Sequence, residues 1–221
     1  MIKKLVGMSL LVVGLIPGIE ARSIQDLINV EGMPAIENGE LDLSNKDLTS
    51  LEGLKNIKGI KNIRNLDLSD NKLPALPAGV FSDLKRLQDL DLSHNLLRVL
   101  SDQVFNGLIK LKNLFLYDNK LRTVPVRAFF GLPSLEVLYL YSNELVTLPM
   151  EVFYGMTKLQ DLDLSYNRLR ELPIGIFTSL TKLHMVNLVG NPLVGIGARE
   201  YRGQALHGLL LRLTPVVAVA A

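Results

Sequence analysis

The sequence predicts an α/β solenoid, a stack of near-identical coils whose strands form one parallel β-sheet. Three observations predict it. Asn stands at 71, 95, 119, 143, 167 and 191, a constant step of 24 residues. Two aliphatic columns keep the same step: Ile63, Leu87, Leu111, Leu135, Leu159 and Leu183, and Leu68, Leu92, Leu116, Leu140, Leu164 and Leu188. An aromatic column of Phe81, Phe105, Phe129, Phe153 and Phe177 ends in Tyr201. Columns that stay in phase over six periods mark repeated units, each unable to cover its own apolar face and stabilised by its neighbours.

The segments follow in chain order. Met1-Ile2-Lys3-Lys4 is a short basic start, Leu5 to Ile16 an apolar run, and Pro17-Gly18 a break before Ala21. That layout predicts a signal peptide over residues 1–21 and an exported protein, whether secreted, periplasmic or held at the cell surface. The run is shorter than the roughly 20 residues a spanning helix needs, so no membrane span is expected after cleavage. Residues 22–62 read as an N-terminal cap plus one divergent repeat. Ser23-Ile24-Gln25-Asp26 can start a short helix, because a Ser side chain accepts from the free amides of a first turn. Leu41-Asp42-Leu43 resembles the later strands, but Lys46 stands where they carry Asn, and Leu54, Ile57, Ile60 and Ile63 run at a spacing of three.

Residues 63–206 hold six 24-residue repeats. Each opens with an alternating segment such as Leu87-Gln88-Asp89-Leu90-Asp91-Leu92, with the leucines on one face and the carboxylates on the other, the pattern of a half-buried strand. Residues 198–221 overlap the last repeat. Ala198 to Leu213 is expected to form an amphipathic cap helix with Leu206, Leu209, Leu210 and Leu213 facing the core, followed by an apolar tail.

The strand motif Leu159-Gln-Asp-Leu162-Asp-Leu164-Ser-Tyr-Asn167-Arg-Leu169, followed by Leu172-Pro173, Phe177 and Leu180, resembles the leucine-rich repeat family in its typical 24-residue class. The resemblance covers roughly residues 41–206. It implies a horseshoe with the parallel β-sheet on the concave face and short irregular or 3-10 turns on the convex face, and a protein-binding role. Extracellular members of this class close their ends with disulfide-bonded caps. This chain has no Cys, so it departs from them. The missing cysteines, the di-lysine leader and the lack of an Asn-x-Ser/Thr sequon fit a bacterial exported protein better than an animal receptor.

Several columns read as structural. An Asn just after each strand can bond the backbone where the chain turns, the Phe column stacks on the convex side, and Pro at 77, 125, 149 and 173 punctuates turns. His94, His184 and His207 share no spacing that assembles a metal or catalytic cluster; only His94 is expected on the concave side. No residue set combines a nucleophile, a base and a stabiliser, so no enzyme and no cofactor are expected. The chain carries 24 basic and 22 acidic residues, a formal charge of +2. Removal of residues 1–21 leaves 22 basic and 21 acidic. This balance gives no support for nucleic-acid binding. Asp42, Asp67, Asp91 and Asp163 fill one outward column, with Glu40, Asp89 and Asp161 in a parallel one. Such carboxylates can attract a cation or a basic partner, although no complete calcium-ligand loop can be read.

The repeats starting at Leu111 and Leu135 break the Asp/Ser habit. They present Phe115, Tyr117, Tyr139 and Tyr141 outward, and Tyr166 follows one repeat later. Outward aromatics on adjacent strands touch across the sheet. Rimmed by Asp89, Asp91, Asp118, Asp161 and Asp163, they have the composition of an interface centre with a polar rim. The expected function is a protein–protein interaction module binding a basic or mixed-charge protein on this face, possible host proteins included. The alternative is a periplasmic or cell-surface scaffold for the cell's own proteins.

Overall fold

The computed structural model describes residues 23–194 and 210–212. The expected signal peptide, most of the expected cap helix, Tyr201 and the apolar tail lie outside the described residues. The first element of the described residues is helix α1, Ile24–Glu31. Its start is the capping box anticipated at Ser23: the Asp26 amide donates to Ser23 Oγ at 3.0 Å, and the Ser23 amide donates to Asp26 Oδ2 at 3.0 Å. Ile24 and Leu27 are buried, closing the open end of the core. The helix sits so close to the first coil that a Cβ at Gly53 would fall 2.6 Å from the Gln25 amide nitrogen, so only glycine fits there.

Among the described residues eight strands follow: β1 Glu40–Asp42, β2 Asn65–Asp67, β3 Asp89–Asp91, β4 Asn113–Phe115, β5 Val137–Tyr139, β6 Asp161–Asp163, β7 Met185–Asn187 and β8 Leu210–Arg212. They form one parallel sheet in chain order. Register is uniform. Leu66, Leu90, Leu114, Leu138, Leu162 and Val186 pair in line and are buried, while the flanking residues of each strand lie on the outer face. A one-residue slip would turn that whole leucine row to solvent, which is what pins the register.

Two local readings are resolved or corrected. The three-residue spacing at Leu54, Ile57, Ile60 and Ile63 belongs to two 3-10 turns, Leu54–Asn56 and Ile60–Asn62. Each turn opens with one of these residues and is followed by the next, so the spacing of three repeats across both turns, and all four side chains are buried. At the other end, Leu210–Arg212 is a strand and not the last turn of a helix. It pairs with β7, Met185 with Leu210 and Val186 with Leu211. The stretch Leu210-Leu211-Arg212 is too short for its pattern to choose between strand and helix, and the open edge of β7 offers backbone groups that a strand satisfies and a helix does not.

Behind the sheet lies one continuous core of leucines and a phenylalanine spine. Phe81, Phe105, Phe129, Phe153 and Phe177 are fully buried and stack in sequence, with ring centroids 6.2–6.5 Å apart. Parallel strands stand about 4.8 Å apart. A back layer spaced more widely than the front curves the stack with the sheet on the concave side, as the horseshoe expectation requires.

The Asn column ties the coils together. Asn95 Nδ2 donates to the carbonyls of Leu92 and Ser93 in its own coil and of Leu68 in the preceding one, at 2.9–3.2 Å. Its Oδ1 accepts the Leu73 amide at 3.0 Å. Asn119, Asn143 and Asn167 repeat this scheme. The residue before each buried Asn takes a left-handed φ: Asp70, His94, Asp118, Ser142 and Tyr166 at 51–53°, and Gly190 at 76°. That reversal ends every strand at the same place and aims the next residue inward.

Candidate partner-binding site on the concave face

The outer strand positions decide what the concave face presents. In four coils these positions read Asp-Leu-Ser, and the pair is a local brace. The amide and hydroxyl of Ser44, Ser69, Ser93 and Ser165 donate to Oδ1 of Asp42, Asp67, Asp91 and Asp163 at 2.6–2.9 Å. An acidic column that looked like a cation or partner site from the sequence is thus largely engaged within its own turns. Neighbouring asparagines take up more of it: Asn113 donates to Asp89, and Asn187 donates to Asp163 at 2.9 Å. Among the described residues no group of three or more His, Asp or Glu is arranged to hold a metal ion.

In the two central coils the brace is replaced by rings. Phe115 and Tyr139 pair in register between β4 and β5, with Asp91 and Asp163 as their outer neighbours. The four rings form a connected cluster. Phe115 and Tyr139 lie 5.4 Å apart, and Tyr117 and Tyr141 stack at 4.5 Å with planes 7° from parallel. Phe115–Tyr117 and Tyr139–Tyr141 close the square at 6.4 and 6.1 Å. Each ring is half-buried: its neighbours cover its flanks and leave an edge or face to solvent. Aromatic pairs of this kind hold one another at little entropic cost, which gives a rigid apolar platform.

Electrostatics around the platform are acidic. Burial first, then the negative charge of Asp161 and Asp163, raises the Tyr139 hydroxyl above its ordinary range. Tyr141 is pushed up to about 12, by burial first and then by Tyr117, Asp118 and Asp163. Burial likewise raises the Asp91 carboxyl, against the two Ser93 bonds that lower it. In the shallower first coil the Ser44 bonds dominate and Asp42 is lowered.

The predicted residues therefore fall into three groups. Phe115, Tyr117, Tyr139 and Tyr141 come together. Asp89, Asp91, Asp161 and Asp163 flank them on β3 and β6; Asp89 already accepts a hydrogen bond from Asn113, Asp91 from Ser93, and Asp163 from Ser165 and Asn187. Tyr166 makes no ring contact with the quartet. It occupies the left-handed position of its coil, and its ring lies over Gly190, where an added Cβ would come within 2.6 Å of Tyr166 Cδ1. One neighbour escaped the sequence reading as a site residue. His94 meets Tyr117 edge-on at 5.2 Å and approaches Asp118 at 3.8 Å. Its signal was its place in the column that also holds Asp118 and Tyr166.

The family model described as Leucine rich repeat matches residues 39–97, 85–145 and 135–193, which together cover most of the chain. The chain belongs to the leucine-rich repeat family. No curated protein matches it. Leucine-rich repeats generally serve as protein–protein interaction modules, and the solenoid is typically a non-enzymatic binding scaffold. In this leucine-rich repeat chain, no helix among the described residues is long and apolar enough to cross a membrane.

Proposed function

We propose that this protein is an exported recognition module that seats a basic or mixed-charge protein partner on the aromatic platform of its concave face. The observation that carries the proposal is the replacement of the Asp-x-Ser brace by four contacting rings in two adjacent central coils. A brace that serves the fold in four coils is given up where a rigid, half-exposed apolar surface is gained. Interfaces concentrate their affinity in such aromatic centres and draw orientation from the surrounding charge. Asp91, Asp118, Asp161 and Asp163 complement Lys or Arg side chains laid beside the rings, and a cation over a Tyr face adds attraction of its own.

Cross-linked affinity purification, followed by calorimetry with the recovered partner, tests this reading. Tyr139→Ala combined with Tyr141→Ala should weaken binding at least tenfold, since truncating one anchor commonly costs about 2 kcal/mol. The melting curve should hardly move. Undiminished binding by the double variant would place the site elsewhere. Sequencing the N-terminus of the protein recovered outside the cytoplasm tests export, with a new terminus near residue 22 expected.

A further inference from the structure

The convex face carries a second surface that the concave reading does not use. Its exposed positions follow each turn Pro and each spine Phe. In the coils of Phe81 and Phe105 they are small or polar: Ala78 and Ser82, then Asp102 and Asn106. In the next coils five of the six become large, with Val126 42% exposed, Phe130 50%, Met150 41%, Tyr154 70% and Ile174 79%, and only Thr178 is small and polar. Solenoid geometry does not require this, because the same positions are polar two coils earlier. The side chains are contiguous. Val126, Arg127 and Phe130 face Glu151, Val152 and Tyr154 across one shallow groove of about 430 Å³. The Met150 methyl lies over Gly175, next to Ile174.

Charge in the groove is arranged in a particular way. Arg127 and Glu151 hold equivalent positions in adjacent coils, and both are exposed. Neither has an ion-pair partner among the described residues, and they do not pair with each other. One cation and one anion of equal rank, flanked by apolar side chains, make a surface complementary to itself under two-fold rotation. An axis between the two coils sets each Arg127 against the Glu151 of the other copy and buries Phe130 against Tyr154. A two-fold interface needs a patch whose residues can contact their own counterparts in this reciprocal way.

We infer that the occupant of this convex groove is a second copy of the chain, in a back-to-back dimer that leaves both concave faces outward and open. The aromatic platform is neither required for this dimer nor blocked by it, so the two proposals stand or fall separately.

Sedimentation equilibrium of the full chain across a micromolar concentration series tests the inference. The wild type should shift from monomer to dimer. Phe130→Asn with Tyr154→Asn should remain monomeric and folded, because Asn106 already occupies the equivalent position one coil earlier. Arg127→Glu and Glu151→Arg should each weaken association about tenfold, and the two together should restore it, as paired charges require. A wild type that is monomeric throughout, or a double charge swap that fails to rescue, overturns the dimer. Capture of wild-type protein by phosphatidylcholine or phosphatidylglycerol vesicles, lost in the Asn variant, would assign the patch to a lipid surface and overturn it equally.

Discussion

Single residues carry the repeat more than any element does. Asn95 satisfies three carbonyls and one amide from two coils. Its replacement by Ala leaves those buried groups without partners. Asn95→Ala should therefore cost at least about 2–3 kcal/mol in a denaturant titration, at the upper range for an orphaned buried group. Tyr141 offers a spectroscopic handle. Its hydroxyl ionises at about 12 instead of near 10, so between those values the folded protein keeps a proton that the unfolded chain has lost. Stability should fall as pH rises through this window and be indifferent to Tyr141 below it. Absorbance at the phenolate band should show ionisation extending above the ordinary tyrosine range, from Tyr139 as well as Tyr141, and Tyr141→Phe should remove the part near 12. The Asn role was legible in the sequence because a polar residue at a fixed phase next to leucine is costly unless bonded. The Asp-x-Ser brace was not, because an outward carboxylate bonded to the residue two places on has the same spelling as one left free.

At the scale of elements, the sequence carried the strands, the spine and the N-terminal helix α1. Period-two alternation, a 24-residue phase and the Ser23–Asp26 pair are all local or strictly repeated signals. The spine is the largest of these in energy. Phe129 is buried between Phe105 and Phe153 at 6.2 and 6.5 Å, so Phe129→Ala removes contacts on both sides and leaves a cavity. A loss of about 3–5 kcal/mol is expected from thermal or chemical unfolding, and a smaller loss for Phe129→Leu. The strand β8 was not legible because it answers to a neighbour and not to its own pattern: Leu210-Leu211-Arg212 shows no period-two alternation, and the edge of β7 selects the extended form. The 3-10 turns were visible as a spacing of three, but that spacing has meaning only once Gly53 and Gly59 supply the left-handed residues that open each turn.

For the whole molecule, stability is a sum over similar coil-to-coil contacts, so the solenoid should tolerate losing one full period and not a fraction of one. Deleting residues 112–135 joins Leu111 to Glu136 and preserves every column. That variant should fold cooperatively, with an unchanged circular-dichroism shape and a lower melting point, yet lose partner binding with Phe115 and Tyr117 gone. Deleting residues 112–123 breaks the phase of every later leucine and should give no cooperative transition. The quartet was foreseeable in kind because outward positions follow from alternation. Its exact membership was not: Tyr166 sits at the backbone reversal, half a step off the sheet surface, and that displacement depends on a φ that no side-chain pattern displays. Giving up the carboxylate–serine brace has one more effect. In coils with Asp-x-Ser, the turn amide is already occupied by the aspartate. At Tyr117 and Tyr141 the residue two places earlier is a hydrocarbon ring or a phenol ring, which has no oxygen within reach of that N–H. Among the described residues the Tyr117 and Tyr141 amides have no brace of this kind, so docking there can combine a greasy surface with directional bonds to the backbone.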